Sequence, residues 1–226
     1  MRSKILIKAI IVTFVFLEGY HNCFSQDSVV VKFSDNVCNC LKQSTSRKCI
    51  NDSSLFQCYE FAMNQNKPNL IAEVLKKYGD TSDESGHKFG LELTFESSVY
   101  MIKTCDLFYH FMDTVRFSGA FNGNKENVVL RIDSLNRLNP DKRDSNFFLI
   151  RGIYFFRIRD FNSALVDIDS AIGQGNYQAA NFKAFTLELM GNYDQAADLY
   201  KSIAELTGER QFLMYEAIVR RKKAGN

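Results

Sequence analysis

The chain has no tryptophan, two prolines and 12 glycines in 226 residues, and its three histidines all lie outside the stretch that holds most of its six cysteines. So few turn formers, beside long stretches of helical periodicity, argue for an all-α protein. With no Trp, the 20 Phe and ten Tyr make the packing between helices largely aromatic. Paired CxxC knuckles are missing and no histidine accompanies Cys38, Cys40, Cys49 and Cys58, which speaks against zinc. Neither a glycine-rich phosphate loop nor a Gly-x-Ser-x-Gly elbow is present. No apolar run reaches the roughly 20 residues that a membrane-spanning helix needs.

Charge of one sign is lacking as well. Residues 1–25 carry three of the 28 basic and one of the 26 acidic side chains, so their removal leaves 25 of each sign. A neutral chain without a concentrated positive surface is not expected to bind nucleic acid. Those 25 residues read as a secretory signal peptide: Arg2, Lys4 and Lys8 start it, Ala9 to Leu17 is apolar, and Cys23-Phe24-Ser25 precedes a cut before Gln26. A lipid-anchored Cys23 is the rival, but Tyr20-His21-Asn22 is bulky and polar. The expected location is therefore outside the cytoplasm, periplasmic or secreted.

Near the C-terminus the sequence repeats. Gly152…Asp160-Phe161-Asn162-Ser163-Ala164…Ile168…Ala171 is echoed 32 positions later by Ala184…Asn192-Tyr193-Asp194-Gln195-Ala196…Tyr200…Ile203. Each copy places a small residue (Gly152, Ala184) twelve positions before another (Ala164, Ala196), with an aromatic three before the second. Two helices approach closely only where neither carries a bulky side chain, so each copy reads as a helical hairpin. Phe148, Gly152, Phe155, Phe161, Ala164, Ile168 and Ala171, then Ala180, Ala184, Leu187, Tyr193, Ala196, Tyr200 and Ile203, resemble the tetratricopeptide repeat. Departures are the missing Trp, Arg151 and Lys183 in place of Leu, Asn176 and Gly208 in place of the closing Pro, and a period short of 34 residues.

The resemblance implies a protein-interaction module over 124–226, closed by an amphipathic helix from Glu209 to Lys223 whose Arg220-Arg221-Lys222-Lys223 end suits a solvating cap. A further helix is expected from Glu126 to Leu138. In the family, the first helix of each hairpin lines a concave binding face. By position that face comprises Asn146, Leu149, Ile153, Phe156, Arg157, Gln178, Asn181, Phe185, Glu188 and Leu189. It is mostly apolar, and without the family's carboxylate-clamping Lys and Asn it suits an extended apolar peptide or a helix. Alternatively a long helix of the front domain fills it.

The front domain, 26–118, holds five cysteines once the signal is removed. Five choices of free thiol, each with three connectivities, leave the pairing open. Cys38 and Cys40 point in different directions from one helix and take different partners. A Cys40–Cys58 staple is favoured, Cys49 is the favoured odd thiol, and Cys105 completes the disulfide candidates Cys38, Cys40, Cys58 and Cys105. Helices are expected over Val30–Leu41, from Asp52-Ser53 to about Met63, from Pro68 to Gly79, and as one long element from Phe89 to Val115. Asp80 to His87 is expected to be a loop. A CxC on the first helix, a lone Cys on a later one and repeats behind them resemble exported proteins of the Bacteroidetes phylum.

Chemistry has little to build on. Asp106 and His110 share a face beside Cys105 and Asp113, but two ligands are too few for a metal and an ion pair is the ordinary alternative. No catalytic, cofactor or metal residue is assigned, and a protein or peptide partner is expected. The alternatives are an exported enzyme or thiol-redox protein using the cysteines, and a structural subunit of an envelope assembly. Buried, bonded cysteines separate the first reading from a redox one.

Overall fold

The computed structural model describes residues 28–44, 50–121 and 124–225. Among them lie ten α-helices, one 3-10 turn and no strand. The signal-peptide reading, the cut before Gln26 and Cys49 fall outside the described residues.

Helix α1 (Ser28–Ser44) buries Val29, Phe33, Val37, Cys38 and Leu41 along one stripe. Helix α2 (Asp52–Tyr78) is one element where two were expected. Asn51 caps it by accepting from the Ser54 amide, and Gly79 ends it at φ 79° with its amide bonded to Leu75. Pro68 sits inside rather than at a start. Proline removes the bond to the carbonyl four residues back, here Asn64, and both positions face solvent, where an unpaired carbonyl costs little. The buried stripe of α2, Cys58, Ala62, Asn66, Leu70 and Val74, runs at strict four-residue spacing against α1 and continues past the proline.

Helix α3 (Asp83–Thr104) begins inside the stretch expected to be a loop, because Ser82 caps it through the Ser85 amide. The expected long helix to Val115 is interrupted. Cys105 adopts an extended conformation, φ −118° and ψ 103°, and α4 (Asp106–Val115) begins directly after it. Periodicity on both sides of the break is helical. What the sequence pattern hides is the bond from Cys105 to Cys38 on α1, which pins the joint in the core.

The second half comprises α5 (Lys125–Asn136), the 3-10 turn Pro140–Lys142, α6 (Ser145–Arg157), α7 (Phe161–Gly173), α8 (Ala179–Leu189), α9 (Tyr193–Thr207) and α10 (Gln211–Ala224). Each helix from α5 onward packs on its successor. Asn124, Asp144 and Asp160 cap α5, α6 and α7 with side-chain oxygens.

Three apolar clusters fill the interior. The first joins α1, α2, α3 and α4 with Ala217 and Ile218 of α10. The second joins α8, α9 and α10, and the third joins α6, α7 and α8. The helix expected to be a solvated cap is thus wedged between two cores. Phe212 and Val219 go one way and Ala217 and Ile218 the other.

Candidate protein-binding face

Gly152 on α6 meets α7 so closely that an added Cβ would lie 3.0 Å from Ile168 Cγ1 and 3.3 Å from the Ala164 carbonyl. Ala184 and Ala196 are fully buried in one cluster of α8 and α9. Arg151 and Lys183, 32 positions apart, find acids on α7. The Arg151 guanidinium grips the buried Asp167 with two bonds of 2.7 Å, and Lys183 pairs with Asp169 at 2.7 Å. Two cationic positions that the sequence marks as departures are therefore satisfied between helices.

The ten residues expected on the binding face divide into a rim and a floor. Asn146, Arg157 and Gln178 are exposed, and Asn146 accepts from the Asn176 amide at 3.2 Å. Leu149, Ile153, Asn181, Phe185 and Leu189 are half-buried, whereas Phe156 and Glu188 are buried. Of the two expectations for these ten, an open face or a groove filled by a front-domain helix, neither describes the floor fully: Phe156, Phe185 and Glu188 are covered by the turn that follows α4. Phe117 meets the Phe185 ring edge-on at 5.4 Å, and Phe121 stacks on Phe156 at 5.3 Å. The alternative, in which the front domain fills the groove, describes this covering better, although the turn after the helix does it rather than the helix.

Beneath the turn lies a four-charge network. Arg116 reaches Glu188 with both terminal nitrogens, one at 2.8 Å to Oε2, and its second nitrogen also bonds Asp113 at 2.6 Å. Lys222 bridges Asp113 and Glu188, each at 2.9 Å, and the Tyr200 hydroxyl donates to Glu188 at 3.4 Å. Two cations and two anions from α4, its following turn, α8 and α10 neutralise one another. Burial alone would raise the Asp113 carboxyl, but the bonds from Arg116 and Lys222 outweigh it and hold the group below the usual carboxylate range. Burial opposes charge on Arg116 and Lys222 too, and their carboxylate partners reverse that, so both stay firmly cationic. Burial beside Glu188 pushes the Tyr200 hydroxyl far above its ordinary value.

The basic run at the end of α10 is committed throughout. Arg220 pairs with Glu216 and Asp198, Arg221 with Asp106 and the Ile102 carbonyl, Lys222 as above, and Lys223 with Asp194. It fastens α10 to its neighbours, so Asp106 and Asp113 are occupied by cations and His110 lies against Tyr109 at 5.0 Å. Among the described residues no group of three or more His, Cys, Asp or Glu is placed to hold a metal, and no helix is long and apolar enough to cross a membrane.

The cysteines are joined as Cys38–Cys105 and Cys40–Cys58, with Cα atoms 6.0 and 5.5 Å apart. Cys38, Cys58 and Cys105 are buried and Cys40 is half-buried. The favoured Cys40–Cys58 staple is thus present, beside a second bond from Cys38 to Cys105. Sequence reasoning missed Arg116, Phe117, Phe121, Tyr200 and Lys222 as parts of this face; the available signal was Glu188, a lone acid on an otherwise apolar surface that calls for a buried cation. No family model, no curated protein and no solved structure matches the chain.

Proposed function

We propose that this chain is an exported, tetratricopeptide-like protein whose hairpins bind another protein or peptide, without catalytic activity. The observation that supports the reading is the close approach of Gly152 on α6 to Ala164 and Ile168 on α7, together with the full burial, 32 positions further on, of Ala184 and Ala196 in one cluster of α8 and α9. Stacked hairpins of this kind offer extended surfaces and serve as interaction modules. Two disulfides support export, since such bonds persist in oxidising compartments. The division into a cysteine-bearing unit over 26–118 and repeats over 124–226 belongs to the same proposal.

The exposed rim supplies the test. A photo-cross-linking residue at Gln178 or Arg157, in the protein expressed in its native envelope, is expected to capture one reproducible partner, while the same residue at the remote Lys76 captures none. Equal labelling from all three positions counts against an interaction module. N-terminal sequencing of the same sample is expected to begin at Gln26, and an intact Met1 removes the case for export.

A further inference from the structure

The turn over the hairpins, residues 116–121, is built like a bound peptide. Its backbone hydrogen bonds are local: Phe117 to Thr114, Ser118 to Val115 and Ala120 to Phe117. Its hold on the hairpins comes from side chains at three points. The Arg116 guanidinium enters a site whose base is Glu188, Phe117 sits on Phe185, and Phe121 lies flat on Phe156. Ser118 and Gly119, between the two rings, are exposed.

A second observation points the same way. Arg159, in the turn between α6 and α7, is the only non-glycine residue with positive φ among the described residues, at 66°. The equivalent residue 32 positions later is Gly191, at φ 81°. A side chain in this region is strained, and glycine would remove the strain, so retaining arginine needs a compensating contact. The contact present is its guanidinium, 4.8 Å from the Phe121 ring.

We infer that residues 116–121 are an internal ligand occupying the hairpins' binding face, and that the external partner is a segment of like chemistry: an arginine followed by an aromatic, with a second aromatic four positions on. This rests on the interaction-module reading and adds its ligand class and its regulation. Competition between internal and external segments keeps the face closed until a better-matched partner arrives.

The probe is a synthetic peptide of the chain's own residues Asp113 to Phe121, titrated onto the full chain and onto the Arg116→Met/Phe121→Ser variant, which vacates the Glu188 site and the face of Phe156. The variant is expected to bind at least ten-fold more tightly than the wild type, and a peptide with Glu in place of Arg116 is expected not to bind. A folded variant that ignores the peptide, or equal binding by both proteins, overturns the inference. Should the double variant not fold, hydrogen exchange on the wild type and on Arg159→Gly decides. Amides of 117–121 are expected to exchange before those of α8 and α9, and faster still in Arg159→Gly with an unchanged or higher unfolding midpoint. Exchange of 117–121 only through global unfolding means the turn is core. Failure here with a partner still captured at Gln178 spares the interaction reading; peptide binding with no captured partner spares the internal ligand and removes the interaction reading.

Discussion

At the residue scale, the decisive position is Arg116. Its side chain is 2% exposed and that of Glu188 is fully buried, so losing Arg116 leaves the carboxylates of Glu188 and Asp113 to share the single cation Lys222. Removing one partner of a buried pair typically costs about 3 to 5 kcal/mol, whereas replacing both by apolar side chains of similar volume is often neutral. Arg116→Ala is therefore expected to lower urea stability within that range, and Arg116→Met/Glu188→Met to recover most of it; equal losses in the two variants would show that the pair contributes little through charge. Asp113 adds a pH dependence whose sign is fixed by its depressed carboxyl. A carboxylate that binds protons less readily when folded stabilises the fold fully above its unfolded value of about 4, and that contribution fades as pH falls through the lower folded value. Unfolding midpoints measured from neutral pH down to about 3 are expected to fall, and Asp113→Asn to flatten that acid limb. An Asp113→Asn curve parallel to the wild type would place the acid sensitivity elsewhere.

At the element scale, the sequence was readable where a stripe or a cap decides the outcome. The faces of α1, α7 and α9 follow their periodicity, and Gly79 ends α2 as its position suggests. It was unreadable where a long-range bond overrides local pattern. Nothing around Cys105 breaks a helix; the break is tied to Cys38, 67 positions away. Pro68 misled in the opposite sense, because the solvent around Asn64 makes the missing bond tolerable. Both disulfides act mainly on the unfolded chain, and the stabilisation grows slowly with the loop closed. The 67-residue separation of Cys38 and Cys105 corresponds to about 4 kcal/mol and the 18-residue separation of Cys40 and Cys58 to about 3 kcal/mol. Cys38→Ser/Cys105→Ser is thus expected to lose more stability than Cys40→Ser/Cys58→Ser, with a further loss because it also frees the α3–α4 joint. Unfolding of the two oxidised variants side by side ranks them, and the reverse order would mean that the joint is held by packing alone.

At the scale of the whole molecule, the sequence suggested two units in series with a cap at the end, and the placement of α10 ties them together. Its Ala217 and Ile218 belong to the core of α1 to α4, while Phe212 and Val219 belong to the core of α8 and α9. Its four terminal cations clamp acids on α4, α8, α9 and α10 itself. That arrangement was hidden because a basic helix end is usually solvated, and the acids that meet it are spread from Asp106 to Glu216. A shared helix couples the stabilities of the two cores, since neither can lose it without exposing apolar surface in both. Having no Trp, the chain accepts one as a local reporter. Phe89→Trp reports on the front core and Tyr193→Trp on the hairpins. Both are expected to give the same urea midpoint, the mark of one cooperative unit. Truncation after Gly208 is expected to abolish the sigmoidal transition at both reporters. Two separate midpoints in the full chain, or a truncated chain whose Phe89→Trp reporter still unfolds cooperatively, would show that α10 is an appendage of the hairpins and that the front helices fold on their own.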